Sequence, residues 1–154
     1  MGIKSFQGKQ VKEIHEVDQI RVKDCMNTSM VVFNEEMSLL EAMEIMIKKK
    51  VSGGPVVDEY KKLVGVISEG DCVKQISDSR YYNMPMSNVK VKDKMSTTIE
   101  SIHPEENIFD VGNKFLHLKR RRFPVVENGK LVGLVSQKDM LRVATGMSGN
   151  HWRK

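Results

Sequence analysis

The chain has 154 residues, of which 40% are hydrophobic and 29% are charged. This composition is typical of a soluble globular protein with one compact domain or two very small ones. Its 25 Lys and Arg against 20 Asp and Glu give a net charge of +5, which suits an anionic ligand and permits nucleic-acid contact. The apolar runs are far too short for a membrane span, and residues 1–20 lack the apolar core of a signal peptide, so we expect a cytoplasmic protein without membrane insertion.

Residues that could carry catalysis or bind a metal show no suitable pattern. Cys25 and Cys72 lie far apart in the chain, outside any metal or redox spacing, which fits a reducing compartment. No Ser or Cys nucleophile can be matched with a His and an acid. The four histidines have no ligand spacing either: His15, His103, His117 and His151. We therefore predict neither an enzyme nor a metal site, and no required cofactor.

Taken in chain order, the sequence contains an internal repeat with two copies. Over about fifty aligned positions sixteen residues are identical, where ordinary composition would give roughly three by chance. The aligned stretches are "VKDCMNT" at 22–28 with "VKDKMST" at 91–97, "PVV" at 55–57 with "PVV" at 124–126, and "LVGVISEGD" at 63–71 with "LVGLVSQKD" at 131–139. The offset changes from 69 to 68 residues between the last two pairs, which places a one-residue insertion in a turn.

Each copy predicts the same order of elements. An extended stretch at 30–33 or 99–102 precedes a helix, which opens at Ser38 with a capping-box pattern to Glu41, or at Asn107 ahead of Asp110. The apolar face of this helix is then Leu39, Met43 and Met46 in the first copy, and Ile108, Val111, Phe115 and Leu118 in the second.

The second half of each copy predicts two strands and a closing helix. The strands lie at 55–58 and 63–67, or at 124–127 and 131–135, and Asn128-Gly129 is typical of a type I′ hairpin turn. The closing helix begins at Ser68 or Ser136. It carries Val73 and Ile76, or Met140, Leu141 and Ala144.

These elements predict an α/β (α+β) fold in which two β-α-β-β-α repeats form one module of pseudo-twofold symmetry. One copy alone has little core for its surface. The repeats occupy residues 21–77 and 91–145, joined by a linker at 78–90. Residues 1–20 form an appendage with Val11, Ile14 and Val17 on one face, and residues 146–154 form a mobile tail.

The unit with "PVVD", "LVGVIS" and the following Asp closely resembles the cystathionine-β-synthase (CBS) domain over residues 22–77 and 91–145. Two tandem copies form what is called a Bateman module, and here no effector domain accompanies them. The resemblance implies a regulatory module that senses AMP, ADP, ATP or S-adenosylmethionine in the cleft between the repeats. It also implies a homodimer that signals to a regulated partner protein.

The Ser-x-x-Asp motifs at Ser68–Asp71 and Ser136–Asp139 allow two interpretations. Ser is a favoured N-cap, and an acid three residues later completes a capping box. As a ligand site, the Asp would accept from both hydroxyls of a ribose cis-diol, and the Ser hydroxyl with the amides of the helix start would bind phosphate. Gly65 and Gly133 permit close approach of a ligand, although a bend in the sheet explains them as well.

The resemblance also implies which residues would line the two sites. Adenine would lie between the strand before the first helix and the "PVV" strand. The first site would contain Thr28, Met30, Val31, Gly54, Pro55, Ser68 and Asp71. The second would contain Thr97, Thr98, Ile99, Arg121, Arg122, Phe123, Pro124, Ser136 and Asp139.

The two copies differ before their prolines. Arg121 and Arg122 could bind a di- or triphosphate, or could form a solvated helix end; with them, we expect the second site to be the tighter phosphate site. Gly53-Gly54 could form a loose turn that leaves the first site more open. Asp24 and Asp93 are expected to cap short helical turns.

The sequence is also compatible with an alternative function. The chain could be a structural dimerisation module, or a nucleic-acid-associated protein, in which Ser and Asp only cap helices. With five Phe, three Tyr and one Trp, few aromatic residues are available for a base-stacking surface, so nucleic-acid binding has weak support.

Overall fold

A computed structural model describes residues 20–83, 85–86 and 88–147. They form two compact units whose boundaries differ from those of the sequence repeats. The first-repeat unit contains Ser29–Glu100 and Val126–Val132. Of the described residues, the second-repeat unit contains 20–28, Ser101–Val125 and 133–147. The predicted appendage, apart from Ile20, and residues 148–154 of the predicted tail lie outside the described residues.

The first-repeat unit is built on a three-stranded sheet in the order β1-β2-β3. Strand β1 pairs parallel with β2, which pairs antiparallel with β3. The described elements of this unit are β1 (Phe33–Asn34), α1 (Leu39–Lys49), β2 (Gly53–Val57), β3 (Leu63–Ser68), α2 (Glu69–Tyr81) and α3 (Val91–Lys94).

The second copy repeats this order around a two-stranded sheet. Its elements are α4 (Ile108–Leu118), β4 (Arg122–Glu127), β5 (Lys130–Ser136) and α5 (Gln137–Met147). A 3-10 turn at Val22–Asp24, from the sequence of the first copy, belongs to the same compact unit as α4. The predicted extended stretch at 99–102 makes only one parallel bridge, from Ile102 to Val125. Positive φ angles at Asn128 (54°) and Gly129 (78°) confirm the predicted type I′ hairpin turn.

The first helix of each copy begins where its capping residue predicts. Ser38 Oγ accepts from Glu41 N at 3.1 Å, and Asn107 Oδ1 accepts from Phe109 N at 2.8 Å. Both helices end at a lysine in the left-handed conformation, Lys50 and Lys119. Their inward faces include Leu39, Ala42 and Met46, and Ile108, Val111 and Phe115. Met43, also predicted to face inward, is half-buried and packs against the core, whereas Leu118, predicted to face inward, is exposed.

The closing helices differ from the prediction in length and orientation. Helix α2 continues to Tyr81, into the predicted linker, and α5 continues to Met147, into the predicted tail. The buried residues of α2 are Cys72, Gln75 and Ser79. Its apolar residues Val73 and Ile76 are exposed, as is Leu141 on α5.

The "VKD" segments explain why the units and the repeats have different boundaries. In the first-repeat unit, the second copy's segment donates from Val91 N to Met37 O at 2.9 Å. Ser96 exchanges two 2.9 Å backbone hydrogen bonds with Val66 of β3. Each unit therefore contains the "VKD" segment that belongs, by sequence, to the other repeat.

The second-repeat unit contains the equivalent contacts. Val22 N donates to Glu106 O at 2.9 Å, and Asn27 exchanges backbone hydrogen bonds of 2.8 and 2.9 Å with Leu134 of β5. Val22, like Val91 in the other unit, is completely buried. The exchanged segment thus completes the packing of both units in the same way.

Candidate functional site

The first Ser-Asp motif forms a reciprocal capping box at the start of α2. Ser68 N and Ser68 Oγ donate to Asp71 Oδ2, at 2.9 and 3.0 Å, and Asp71 N donates to Ser68 Oγ at 3.3 Å. A carboxylate oxygen has room for about two donors, so Oδ2 is saturated. Within the described part of the chain, Oδ1 of Asp71 has no donor. The capping interpretation is confirmed, and it leaves one carboxylate oxygen available.

The second motif has the same geometry at the start of α5. Ser136 N and Ser136 Oγ donate to Asp139 Oδ2, at 2.8 and 3.0 Å, and Asp139 N donates to Ser136 Oγ at 3.2 Å. Asp139 is more buried than Asp71, with 6% of its surface exposed. Both motifs correct one chemical expectation: a cis-diol would find one acceptor oxygen, Oδ1, rather than two.

The two carboxylates differ at Oδ1. Arg142 Nη1 donates to Asp139 Oδ1 at 2.8 Å, and 69% of the Arg142 side chain is exposed. The residue at the equivalent position on α2 is Lys74, which makes no ion pair with any described residue. Sequence reasoning missed Arg142, although a cation three residues after Asp139 on a helix indicates such a contact.

The amides at the helix starts are less available to a phosphate than expected. Glu69 N donates to Ser52 O at 2.9 Å and Gln137 N donates to Arg121 O at 3.0 Å. The amides of Asp71 and Asp139 are used by their capping serines. One amide at each helix start has no acceptor among the described residues. It is the amide of Gly70 in α2 and the amide of Lys138 in α5.

The first-site residues before the proline are strand rather than loose turn. Gly53 and Gly54 open β2 opposite Ser68 and Ile67. Gly53 has a φ of 148° and a Cβ there would collide with the Ile67 carbonyl oxygen. A Cβ on Gly54 would lie 2.8 Å from Val31 O. These close approaches require glycine, and they bring Gly53–Gly54 alongside Val31 and Ser68.

The other predicted first-site residues divide between the units. Met30 and Val31 are half-buried and Pro55 is buried, all in the first-repeat unit with Ser68 and Asp71. Thr28 is exposed and belongs to the second-repeat unit. Their role as a ligand wall stays a prediction.

The second-site residues divide in the same way. Arg121, Arg122, Phe123 and Pro124 lie in the second-repeat unit, as do Ser136 and Asp139. Thr97, Thr98 and Ile99 belong to the first-repeat unit.

Two predicted second-site residues have different surroundings. The Phe123 ring stacks on Phe115 with centroids 4.9 Å apart and is 1% exposed, so its side chain is part of the core. Arg121 and Arg122 are exposed. The bonds of Gln137 to Arg121 O and, through Nε2, to Arg120 O at 2.9 Å hold this basic segment beside the start of α5.

The repeated glycines of β3 and β5 accommodate methionines of the exchanged segments. A Cβ on Gly65 would lie 2.5 Å from Met95 Sδ and 2.9 Å from Ser96 O, and one on Gly133 would lie 2.6 Å from Met26 Sδ. Chain packing therefore accounts for both glycines without a ligand. The Met is identical in "VKD-x-M" of both copies, and this identity is the sequence feature that could have predicted the contact.

The remaining polar candidates are structural. Asp24 and Asp93 accept from Arg21 N and Lys90 N, at 3.0 and 2.9 Å, which confirms their predicted capping role. Burial raises the pKa of Cys25 to about 11, with Asp139 and Asp24 adding to it, so this thiol is protonated near neutral pH. Over the described ranges, no group of three His, Cys, Asp or Glu could hold a metal, and no helix has the length and apolarity to cross a bilayer.

Two α/β units, each with a Ser-Asp box at the start of its closing helix, α2 or α5, define a tandem CBS-domain architecture. Residues 22–78 and 91–146 match the family model described as the CBS domain. The chain belongs to this family and contains two CBS domains, as the resemblance predicts. The α/β fold class is likewise confirmed by the solved CBS pairs that it resembles.

Two similar solved structures contain adenosine compounds. The complex of CBSX2 with AMP is 29% identical, with a TM-score of 0.73, and the match covers 83% of this chain and 98% of that chain. The CBS pair of protein MJ0100 with 5′-methylthioadenosine and S-adenosyl-L-methionine is 27% identical, with a TM-score of 0.66, and covers 82% and 97%. Each of these two CBS pairs therefore binds an adenosine compound.

Longer proteins contain similar sequences. Inosine-5′-monophosphate dehydrogenase of Aquifex aeolicus is 30% identical over 133 residues, which are 85% of this chain and 26% of that protein. The uncharacterised protein MJ1225 of Methanocaldococcus jannaschii is 27% identical over 131 residues, which are 85% of this chain and 44% of that protein. The chain thus spans less than half of these relatives.

Proposed function

We propose that this CBS pair is a regulatory module that binds an adenosine-containing ligand, AMP, ADP, ATP or S-adenosylmethionine, at its two Ser-Asp boxes. Occupancy would favour one arrangement of the module and so change what a partner protein encounters. We further propose that it works in the cytoplasm and performs no catalysis of its own.

The main support for this proposal is the position of the Asp71 carboxylate. It is held at a helix start by two hydrogen bonds to Oδ2, while its half-exposed side chain leaves Oδ1 without a donor among the described residues. A fixed carboxylate oxygen of this kind suits a ribose hydroxyl, because hydrogen bonds to charged groups are the stronger ones. The AMP complex of CBSX2 and the 5′-methylthioadenosine complex of MJ0100 support adenosine as the ligand class.

Calorimetric titration of Asp71→Asn and Asp93→Asn tests this proposal. Asp93 is a matched control because it caps α3 through the same backbone contact but lies outside both Ser-Asp boxes. Loss of a charged hydrogen bond predicts at least about tenfold weaker binding of AMP at the first box for Asp71→Asn, while binding at the second box stays unchanged. Each variant removes a negative charge from a helix N-terminus and should lose about 0.3–1 kcal/mol of stability, but Asp93→Asn should keep the wild-type affinity at both boxes.

Other outcomes would favour the alternative functions. If none of the four ligands binds at millimolar concentration, the sensor proposal is wrong and the boxes serve as caps only. Binding to RNA or DNA with a steep salt dependence would instead support the nucleic-acid function.

We also propose that the module forms a homodimer through its helices. Ile47 on α1 and Leu116 on α4, equivalent positions in the repeat, are 80% and 75% exposed. Val73 on α2 and Leu141 on α5 form a second equivalent pair, 63% and 64% exposed. Exposed apolar residues at the same positions of both copies are typical of an interaction surface.

Light scattering on a sizing column tests the homodimer. The double variant Ile47→Lys/Leu116→Lys should elute as a monomer where the wild type elutes as a dimer. Tyr60→Lys is the control, because Tyr60 is 65% exposed but has no apolar equivalent in the other copy. A monomeric wild type, or a dimeric double variant, would contradict this proposal.

A further inference from the structure

The ion pair at Asp139 makes the two Ser-Asp boxes chemically different. In both boxes, Oδ2 is saturated by the capping serine, so any ribose contact depends on Oδ1. In the first box, both acceptor positions of Oδ1 are open among the described residues. In the second box, Arg142 already occupies one of them at 2.8 Å.

From this asymmetry we infer that Arg142 is a specificity-determining residue, which makes the second box select adenosine ligands that carry a phosphate. The inference rests on the proposed function. With Arg142 in place, Asp139 Oδ1 can accept only one of the two ribose hydroxyls. A ligand gains the second hydrogen bond only if the guanidinium leaves the carboxylate.

A phosphate supplies the reason for the guanidinium to leave. Arg binds phosphate through two parallel charge-assisted hydrogen bonds, so an anionic ligand replaces the contact that Arg142 gives up. An uncharged nucleoside such as 5′-methylthioadenosine offers no such replacement. The Arg142 side chain is 69% exposed, so nothing around it needs to unfold for this exchange.

The surroundings of α5 favour the same ligand class. The exposed residues Arg121 and Arg122 adjoin the helix start, and Lys138 follows its first residue. The first box has Ser52 and Gly70 at the positions of Arg121 and Lys138, so it lacks these cations. We therefore expect the first box to bind phosphorylated and unphosphorylated adenosines alike, and the second to bind phosphorylated ones more tightly.

The experiment compares AMP with 5′-methylthioadenosine by calorimetry in an Asp71→Asn background, which reports on the second box. Arg142→Gln should strengthen 5′-methylthioadenosine binding and weaken AMP binding. The dissociation constant of 5′-methylthioadenosine divided by that of AMP should therefore fall at least about tenfold. Lys138→Gln is the matched control, since it removes one cation from the same helix start without touching Asp139. It should weaken AMP but leave 5′-methylthioadenosine unchanged.

A reciprocal variant covers the case in which the Asp71→Asn background is unstable. Lys74→Arg in an Asp139→Asn background places the arginine beside the first box. It should raise the ratio of 5′-methylthioadenosine to AMP dissociation constants several-fold.

The possible results separate the two proposals. If both ligands bind but neither Arg142→Gln nor Lys74→Arg changes the ratio, the role of Arg142 is wrong and the proposed function stands. If neither ligand binds the wild-type chain, the role of Arg142 is refuted together with the function on which it rests.

Discussion

At the scale of single residues, packing explains the duplicated glycines of β3 and β5. Gly65 and Gly133 each face a methionine of an exchanged segment. The Gly65 contact is the tighter, because the Ser96 carbonyl oxygen lies 2.9 Å from a Cβ there, against 3.3 Å for Asn27 O at Gly133. A backbone atom cannot move aside as a side chain can, so position 65 tolerates an added methyl group poorly.

Gly65→Ala should therefore lower the free energy of unfolding by about 1–3 kcal/mol, the usual range for overpacking. Gly146→Ala is the control, because a Cβ at Gly146 meets no atom within 4 Å. Its helical position predicts a gain of up to about 1 kcal/mol. Urea unfolding monitored by circular dichroism measures both changes. Equal stability of Gly65→Ala and wild type would contradict the close packing of Met95.

The thiols provide a second prediction at this scale. Burial raises the pKa of Cys25 to about 11, and burial also raises the pKa of Cys72. At pH 8.5 an ordinary thiol is about half ionised, whereas Cys25 would be under about 1% ionised. Iodoacetamide should alkylate the native protein far more slowly than the urea-unfolded protein, as followed by mass spectrometry. Similar rates in the two states would contradict the burial of these thiols.

At the scale of secondary-structure elements, the exchanged "VKD" segments are held by ion pairs as well as by packing. Glu36 accepts from Lys90 and Lys92, both at 2.7 Å, and the equivalent Glu105 accepts from Lys23 at 2.8 Å. These contacts lower the pKa of Glu36 to about 2, and the pKa of Glu105 is lowered too. The groups are exposed, so each pair contributes modestly to stability.

The sign of the pH effect follows from the lowered pKa. The stabilisation by Glu36 is fully present above its unfolded pKa near 4.5 and is lost as the pH falls toward about 2. Urea midpoints measured from pH 5 to pH 2 should fall less steeply for Glu36→Gln than for wild type. Glu44→Gln, at an exposed position without an ion pair among the described residues, should follow the wild-type curve. Parallel curves for Glu36→Gln and wild type would show that the ion pairs of Glu36 with Lys90 and Lys92 contribute nothing to stability.

At the scale of the whole molecule, the sequence predicted the local structure well and the long-range pairing poorly. Caps such as Ser68 and Asn107 and the Asn128-Gly129 turn depend on neighbouring residues, so their patterns predicted the structure correctly. The partner of the "VKD" segment lies about seventy residues away, and no local pattern specifies it.

The same distinction applies to the candidate site. The Ser-Asp boxes were predicted with their capping bonds because those contacts are local. The assignment of Thr28 and Thr97 to a different compact unit from the rest of their predicted site residues was not predicted, since it follows from the segment exchange. The contact of Arg142 is local, but it became informative only when the geometry showed that Asp139 Oδ2 was already saturated.

The segment exchange predicts which half of the chain can fold alone. Residues 29–100 retain Val91 and Met95, which pack into the first-repeat unit, and lose only the hairpin tip at Val126–Val132. Residues 22–90 are of nearly equal length but carry the segment that belongs to the other unit. Burial of Val91 and Met95 contributes on the order of 3 kcal/mol, a large share of a small domain's stability. Thermal unfolding followed by circular dichroism should therefore be cooperative for 29–100 and weaker or absent for 22–90; equal melting of the two fragments would mean that the exchanged segment is dispensable for folding.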